Sequence, residues 1–255
     1  MAIRSPACTL GWICASIIEP AERPQRSLAS RQRRGPTGLM SIHRILVSKW
    51  SKAAAFSLSL TPVLLLAWRG FHGELGANPI EFITHSTGDW TLRFLLITLA
   101  ITPLRKLTGL ADLIRFRRML GLFAFFYGIL HLFTYLWLDK FFDMQDIVKD
   151  IAKRPFITAG FTGFMLMLPL AITSTAGWIR RLGGRRWQNL HRLIYVSALA
   201  GVVHYYWLVK SDVRLPLMYA AILTLLLLFR LPALAARSRT QKAPAVFSSR
   251  GISES

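Results

Sequence analysis

The chain has 255 residues, 53% of them hydrophobic, and a mean hydropathy of +0.40, which is too apolar for an ordinary soluble domain and points to a membrane protein. The formal net charge is +20, but Arg and Lys gather at the ends of apolar runs. That placement argues for a topology signal and against a nucleic-acid surface. The two cysteines, Cys8 and Cys14, both lie in the N-terminal tail and give no disulfide framework and no C-x-x-C-H pattern.

Residues 1–40 are rich in Arg, Pro and Ser and end in RQRRGPTGLM. The apolar piece CTLGWICASII faintly resembles a signal-peptide core, but it is short and is followed by the basic run Arg31 to Arg34, which resists export. The expectation is a disordered cytoplasmic extension, or an upstream start with synthesis beginning at Met40. Residues 41–232 then read as one membrane domain, and 233–255 as a basic cytoplasmic tail.

Six apolar stretches follow in order. The first, Ala53 to Trp68, contains Pro62 and is preceded by Arg44, Lys49 and Lys52. A Gly- and Pro-punctuated loop over 69–89 carries Glu74, Glu81 and Asp89. The second, Trp90 to Leu104, closes with Pro103 before Arg105 and Lys106, and its Arg93 lies close enough to the outer end to snorkel. A basic loop with Arg115, Arg117 and Arg118 leads to the third, Met119 to Leu138, about one bilayer core long. After a charge-balanced loop over 139–155 comes the fourth, Phe156 to Ile172. A second basic loop, Arg180 to Arg186, turns at Gly183-Gly184. The fifth runs from Leu190 to Val209 and the sixth from Val213 to Leu231.

The expected fold is an all-α, six-transmembrane-helix bundle. Basic loops alternate with neutral or acidic ones, so the positive-inside rule puts both termini in the cytoplasm. No G-x-G-x-x-G, P-loop or H-E-x-x-H motif occurs, and no soluble catalytic domain fits in the remaining sequence.

Histidine within a membrane span marks a functional site by default. His131 in the third span and His204 in the fifth could be packing glue, but two imidazoles from two facing spans could equally supply the axial nitrogens of a haem iron. Depth selects this pair. His131 lies eight residues before Asp139, about 12 Å at 1.5 Å per residue, and His204 six before Lys210, about 9 Å. His191 lies 13 residues before His204, about 20 Å towards the other face and well rotated from it. It is left with three roles: ligand to a second iron, contact to a flavin or quinone, or partner of a haem propionate. His85, at the outer end of the second span, could reach an outer haem or cap the interface, while His72 and His43 read as solvated. The Arg clusters are first a topology signal, and Arg could also hold a flavin phosphate or haem propionates.

The segments HSTGDWTLRFLLITLAITPLRK, LIRFRRMLGLFAFFYGILHLFTY, RPFITAGF with AITSTAGW, RRWQNLHRLIYV and VVHYYWLVKS occur in this order over residues 41 to about 232. Together they resemble the haem-binding membrane subunit of the bacterial periplasmic protein-methionine-sulfoxide reductase, a group with a ferric-reductase-like transmembrane domain. The resemblance implies an inner-membrane cytochrome holding haem b and FMN. Such a protein passes electrons from quinol, or from a cytoplasmic flavin reductase, to a periplasmic molybdopterin enzyme that repairs oxidised methionine. It implies haem-associated, metal-binding roles for His131, His191 and His204. Arg117, Arg118 and His85 are further cofactor-binding candidates. Two features depart from the pattern: the third span lacks the second histidine of larger ferric reductases, and the chain carries a 40-residue extension. Two rival functions remain, a free-standing ferric or cupric reductase and a proton-coupled transporter using its histidines as a relay.

Overall fold

The computed structural model describes residues 48–209 and 211–230, so the extension, His43 and the C-terminal tail lie outside the described residues. Eight α-helices are described: α1 Lys49–Phe71, α2 Pro79–Thr108, α3 Ile114–Phe133, α4 Met144–Lys153, α5 Pro155–Ile172, α6 Ala176–Leu190, α7 Leu193–Leu208 and α8 Arg214–Leu228. Each expected span is mainly helical over its described residues, the fifth with a break at His191–Arg192, and no strand occurs among the described residues.

The differences lie where caps override loop-like composition. The expected loop before Trp90 is largely the first turns of α2. The Asn78 side chain caps the Glu81 N–H, and Pro79 occupies the first turn, where its missing N–H costs nothing. The opposite end of α2 stops at Gly109, whose φ of 71° is the left-handed cap conformation. The 139–155 loop contains the short α4, started by Asp143, whose carboxylate accepts from the Gln145 and Asp146 N–H groups. The second basic loop lies within α6, which breaks at Gly183 (φ 72°, ψ 154°), the position expected to turn. His191 and His204 were read on one continuous span, yet α6 ends at Leu190 and α7 begins at Leu193.

Three stretches are long and apolar enough to cross a membrane: Lys49–Phe71, Ala111–Asp139 and Pro155–Ile172. α7 and α8 are apolar but shorter, with 16 and 15 residues. α2 is 30 residues long, carries Asp89, Arg93, Arg105 and Lys106, and supplies much of the buried core. Six spans therefore remain the reading of the sequence. The protein is a multi-pass, all-α membrane protein.

Packing centres on α2. One cluster joins Leu92, Leu96 and Leu99 to Ala198, Val202, Tyr219 and Leu223 of α7 and α8. Another joins Phe94 and Leu95 to Phe123, Ala124 and Tyr127 of α3 and Met167 of α5. In lipid the gain comes from close packing and interhelical hydrogen bonds. The Ser197 hydroxyl supplies one such bond, donating to the Gly163 carbonyl at 2.7 Å where α5 and α7 approach. Pro62 leaves the α1 ladder open, and Tyr127 of α3, 1% exposed, enters it. Its hydroxyl accepts from the Val63 N–H at 3.2 Å and donates to the Ser59 carbonyl at 2.9 Å.

Candidate functional site

The two histidines matched by depth meet. The rings of His131 on α3 and His204 on α7 have centroids 6.0 Å apart and planes at 75°. Each is fixed by the helix behind it. His131 Nδ1 donates to the Thr84 carbonyl of α2 at 2.9 Å, and His204 Nδ1 donates to the Phe156 carbonyl of α5 at 2.6 Å. With the proton on Nδ1, the lone pair lies on Nε2, and a backbone carbonyl is the usual orienting partner of a metal-bound imidazole.

The same local device serves both rings. In a helix the carbonyl of residue i accepts from the N–H of i+4. Thr84 and Phe156 are each followed four residues later by glycine, Gly88 and Gly160. A Cβ added at Gly88 would lie 3.0 Å from His131 Cε1, and one at Gly160 would lie 2.7 Å from His204 Nδ1. The missing side chains let each imidazole reach the second lone pair of its carbonyl. Just beyond His131, Thr134–Asp139 widen into a π turn, a feature frequent at functional sites, and the Thr134 hydroxyl donates to the His131 carbonyl at 2.8 Å.

Among the described residues no group of three or more His, Cys, Asp or Glu side chains gathers as a metal site. Two opposed, carbonyl-oriented imidazoles suit an iron whose remaining positions are supplied by a porphyrin, so the residues fit a haem. They do not by themselves build a closed protein-only site of the zinc type, which takes four ligands.

His191 stands apart, at the joint between α6 and α7. Its ring stacks on Trp187 at 3.9 Å, and its Nδ1 donates to the Trp187 carbonyl at 3.1 Å. Trp187 is itself held, its indole N–H donating to the Thr173 carbonyl at 2.9 Å. His191 Nε2 is buried and unpartnered. The Leu170 carbonyl lies nearby, and it also accepts from the Ser174 hydroxyl at 2.7 Å.

The other candidates divide. Arg117 is half-buried and within electrostatic reach of His191, whereas Arg118 one position on is exposed. His85 is exposed on α2, one turn from Gly88, and His72 is exposed against Trp68. Arg93 has three partners. Its Nε donates to the Tyr219 hydroxyl of α8 at 3.0 Å, its fork lies 3.6 Å from Asp89, and its guanidinium sits 4.9 Å from the Trp90 ring centre. These partners orient a side chain that stays 42% exposed. Gly88, Gly160 and the carbonyls of Thr84 and Phe156 were not read from the sequence. Their signal was present as glycine in the turn facing each histidine, but it becomes readable only once the helix pairing is known.

The profile described as ferric reductase like transmembrane component matches residues 87–202, which contain His131 and His191 and end two residues before His204. A relative from Herminiimonas arsenicoxydans is 56% identical over 181 residues, covering 70% of this chain and 83% of its own length. One from Azospira oryzae is 58% identical over 180 residues, covering 70% and 77%. One from Caulobacter vibrioides is 53% identical over 169 residues, covering 66% and 80%. All three are named protein-methionine-sulfoxide reductase heme-binding subunit MsrQ.

Proposed function

We propose a function from one premise: the chain belongs to the family of haem-binding subunits of protein-methionine-sulfoxide reductase, ferric-reductase-like membrane electron-transfer proteins. It takes electrons from a quinol or from a cytoplasmic flavin reductase and delivers them across the inner membrane to a periplasmic molybdopterin enzyme that reduces methionine sulfoxide. The observation that carries this reading is the His131–His204 pair, tied to two carbonyls with both Nε2 lone pairs available.

When bound, haem b supplies a one-electron couple. His131 and His204 are the residues that would hold the iron, through Nε2. The Thr84 and Phe156 carbonyls keep the Nδ1 protons in place, so neither imidazole can rotate away. Gly88 and Gly160 give the rings their seats. His191, with Arg117, belongs to a second carrier nearer the cytoplasm, FMN or another haem. Arg118 and His85, both exposed, are peripheral to these sites. Sulfoxide chemistry belongs to the partner.

The orientation rests on charge. Arg105, Arg117, Arg180, Arg181, Arg185 and Arg186 lie in the two basic connections, whereas Asp139, Asp143, Asp146 and Asp150 are balanced by Lys140, Lys149, Lys153 and Arg154 in the 139–155 connection. A periplasm-dependent reporter fused after Asp143 is expected to be active and one fused after Arg185 silent. The reverse pattern overturns the orientation. In cells, His131→Ala and His204→Ala each abolish reduction of methionine sulfoxide by the partner, while chemically reduced partner stays active. Normal sulfoxide repair in a strain without this chain or another donor overturns the function.

A further inference from the structure

The 139–155 connection carries an exposed apolar patch at the end of the bundle where α3 finishes and α5 begins. Met144, Ile147, Val148 and Ile151 recur at the helical spacing that puts them on one face of α4, with Gln145, Asp146, Lys149 and Lys153 on the other. Only part of the apolar face packs on the bundle. Ile147 is buried and Ile151 half-buried, whereas Met144 is 63% and Val148 65% exposed. Phe141, just before the helix, is 79% exposed, and Phe142 adds a second open ring.

The turn that carries these rings has an unusual backbone. Phe141 and Phe142 have φ of 48° and 60°, the left-handed region that bulky side chains seldom adopt and glycine adopts freely. Main-chain bonds hold it there. The Lys140 N–H donates to the Tyr135 carbonyl at 3.1 Å, and the Phe142 N–H donates to the Leu136 carbonyl at 2.9 Å. The Asp150 carboxylate then ties the turn to α4, accepting from Lys140 at 2.7 Å, from Arg154 at 3.3 Å and from the Tyr135 hydroxyl at 3.3 Å. Turn and helix form one braced unit that presents apolar side chains outward.

The neighbours of this face identify what covers it. The Phe142 ring lies 6.3 Å from Phe133, and Phe133 lies 5.2 Å from Trp137, both exposed on an apolar stretch long enough to cross a membrane. The patch is therefore continuous with the lipid-facing surface of α3, and α4 connects two such stretches, Ala111–Asp139 and Pro155–Ile172. The ten residues of α4 span about 15 Å, too short to cross, and its two-sided pattern suits a helix lying in the plane of the interface. Aromatic rings favour that depth, and Lys149 and Lys153 on the opposite face can reach lipid phosphates or water. We infer that Phe141, Phe142, Met144 and Val148 insert into the headgroup–acyl boundary of the bilayer, so that α4 anchors the turn following His131 at a fixed depth. The inference needs only the membrane fold and is independent of the electron donor and acceptor.

The test places a spin label at single cysteines, Phe141→Cys, Met144→Cys, Val148→Cys, Lys149→Cys and Lys153→Cys, in the full chain with Cys8→Ser and Cys14→Ser. The protein is reconstituted in phosphatidylcholine vesicles. Collision with oxygen, which concentrates in lipid, is compared with collision with a water-soluble nickel chelate present on both sides. The oxygen-to-nickel ratio is expected to be several-fold higher at the Phe141, Met144 and Val148 positions than at Lys149 and Lys153, with the first three about 5–10 Å below the headgroup level. If Phe141→Cys relaxes the turn, the adjacent pair Val148 and Lys149, both exposed on α4, decides alone. A ratio as low at Val148 as at Lys149 overturns the anchor. Nickel access at Phe141, Met144 and Val148 that disappears only when a soluble methionine-sulfoxide reductase is added overturns it too, and assigns the patch to a protein partner.

Discussion

The bundle holds two histidine environments, and they differ in completeness. At the His131–His204 end every protein-side requirement is met: both Nδ1 protons have carbonyl acceptors, both rings have glycine seats, and the two Nε2 atoms remain for a shared iron. At the His191 end, among the described residues, the His191 Nε2 is buried without a hydrogen-bond partner. The first end presents two imidazoles oriented by carbonyls, the second a single imidazole turned against Trp187. A membrane interior makes the contrast informative, because unpaired polar groups there are expensive.

The largest effect separating the two ends is loss of an axial nitrogen. His131→Ala and His204→Ala each remove the first haem almost completely, whereas His191→Ala leaves it and depletes the second cofactor. Equal loss from all three variants would erase the distinction. Next come the seats. Gly160→Ala puts a Cβ 2.7 Å from His204 Nδ1, a contact real Cβ atoms essentially never make, so haem occupancy falls about tenfold. Gly88→Ala, at 3.0 Å from the His131 ring, loses less. A wild-type haem content in Gly160→Ala would show that the ring has another way to its carbonyl.

Smaller effects lie outside both sites. Tyr127→Phe removes the hydroxyl bridging Ser59 and Val63, at an expected cost of about 1–2 kcal/mol in stability with haem spectra unchanged. Asp150 accepts from Lys140 at 2.7 Å and Arg154 at 3.3 Å, and the Lys140 bond holds its carboxyl below the usual range. That stabilisation is present above the unfolded Asp pKa of about 3.9 and is lost as pH falls through the lower folded value. Asp150→Asn is therefore expected to cost about 1 kcal/mol at pH 7, with the difference from wild type vanishing as pH falls below about 4. Thermal unfolding across pH checks it. A difference that persists in acid would locate the effect in packing.

How much could be read from the chain follows the same contrast. His131 and His204 were paired by counting residues to the nearest charged end, because helix rise is constant and α3 and α7 run in the same direction. His191 resisted that arithmetic. It assumed one continuous span, while the chain breaks between Leu190 and Leu193 and lets His191 turn against Trp187. Arg93 was read only as near enough to the outer end of its span to snorkel, because charge in a sequence carries no direction; its contacts with Tyr219 and Asp89 needed the helix pairing. The buried place of Arg230, at the Leu99 carbonyl that Pro103 frees, needed it too. The long N-terminal part of α2 was hidden by its Gly, Pro and acidic composition, which the Asn78 cap and Pro79 put to helical use.

The central claim is that one iron sits between His131 and His204. The most direct measurement is the low-spin haem signal, by electron paramagnetic resonance, of the purified wild type beside His131→Ala, His204→Ala and His191→Ala. The account predicts a bis-imidazole signal lost in both of the first two variants and retained in the third. Persistence of that signal in His204→Ala, or its loss only in His191→Ala, would contradict the pair.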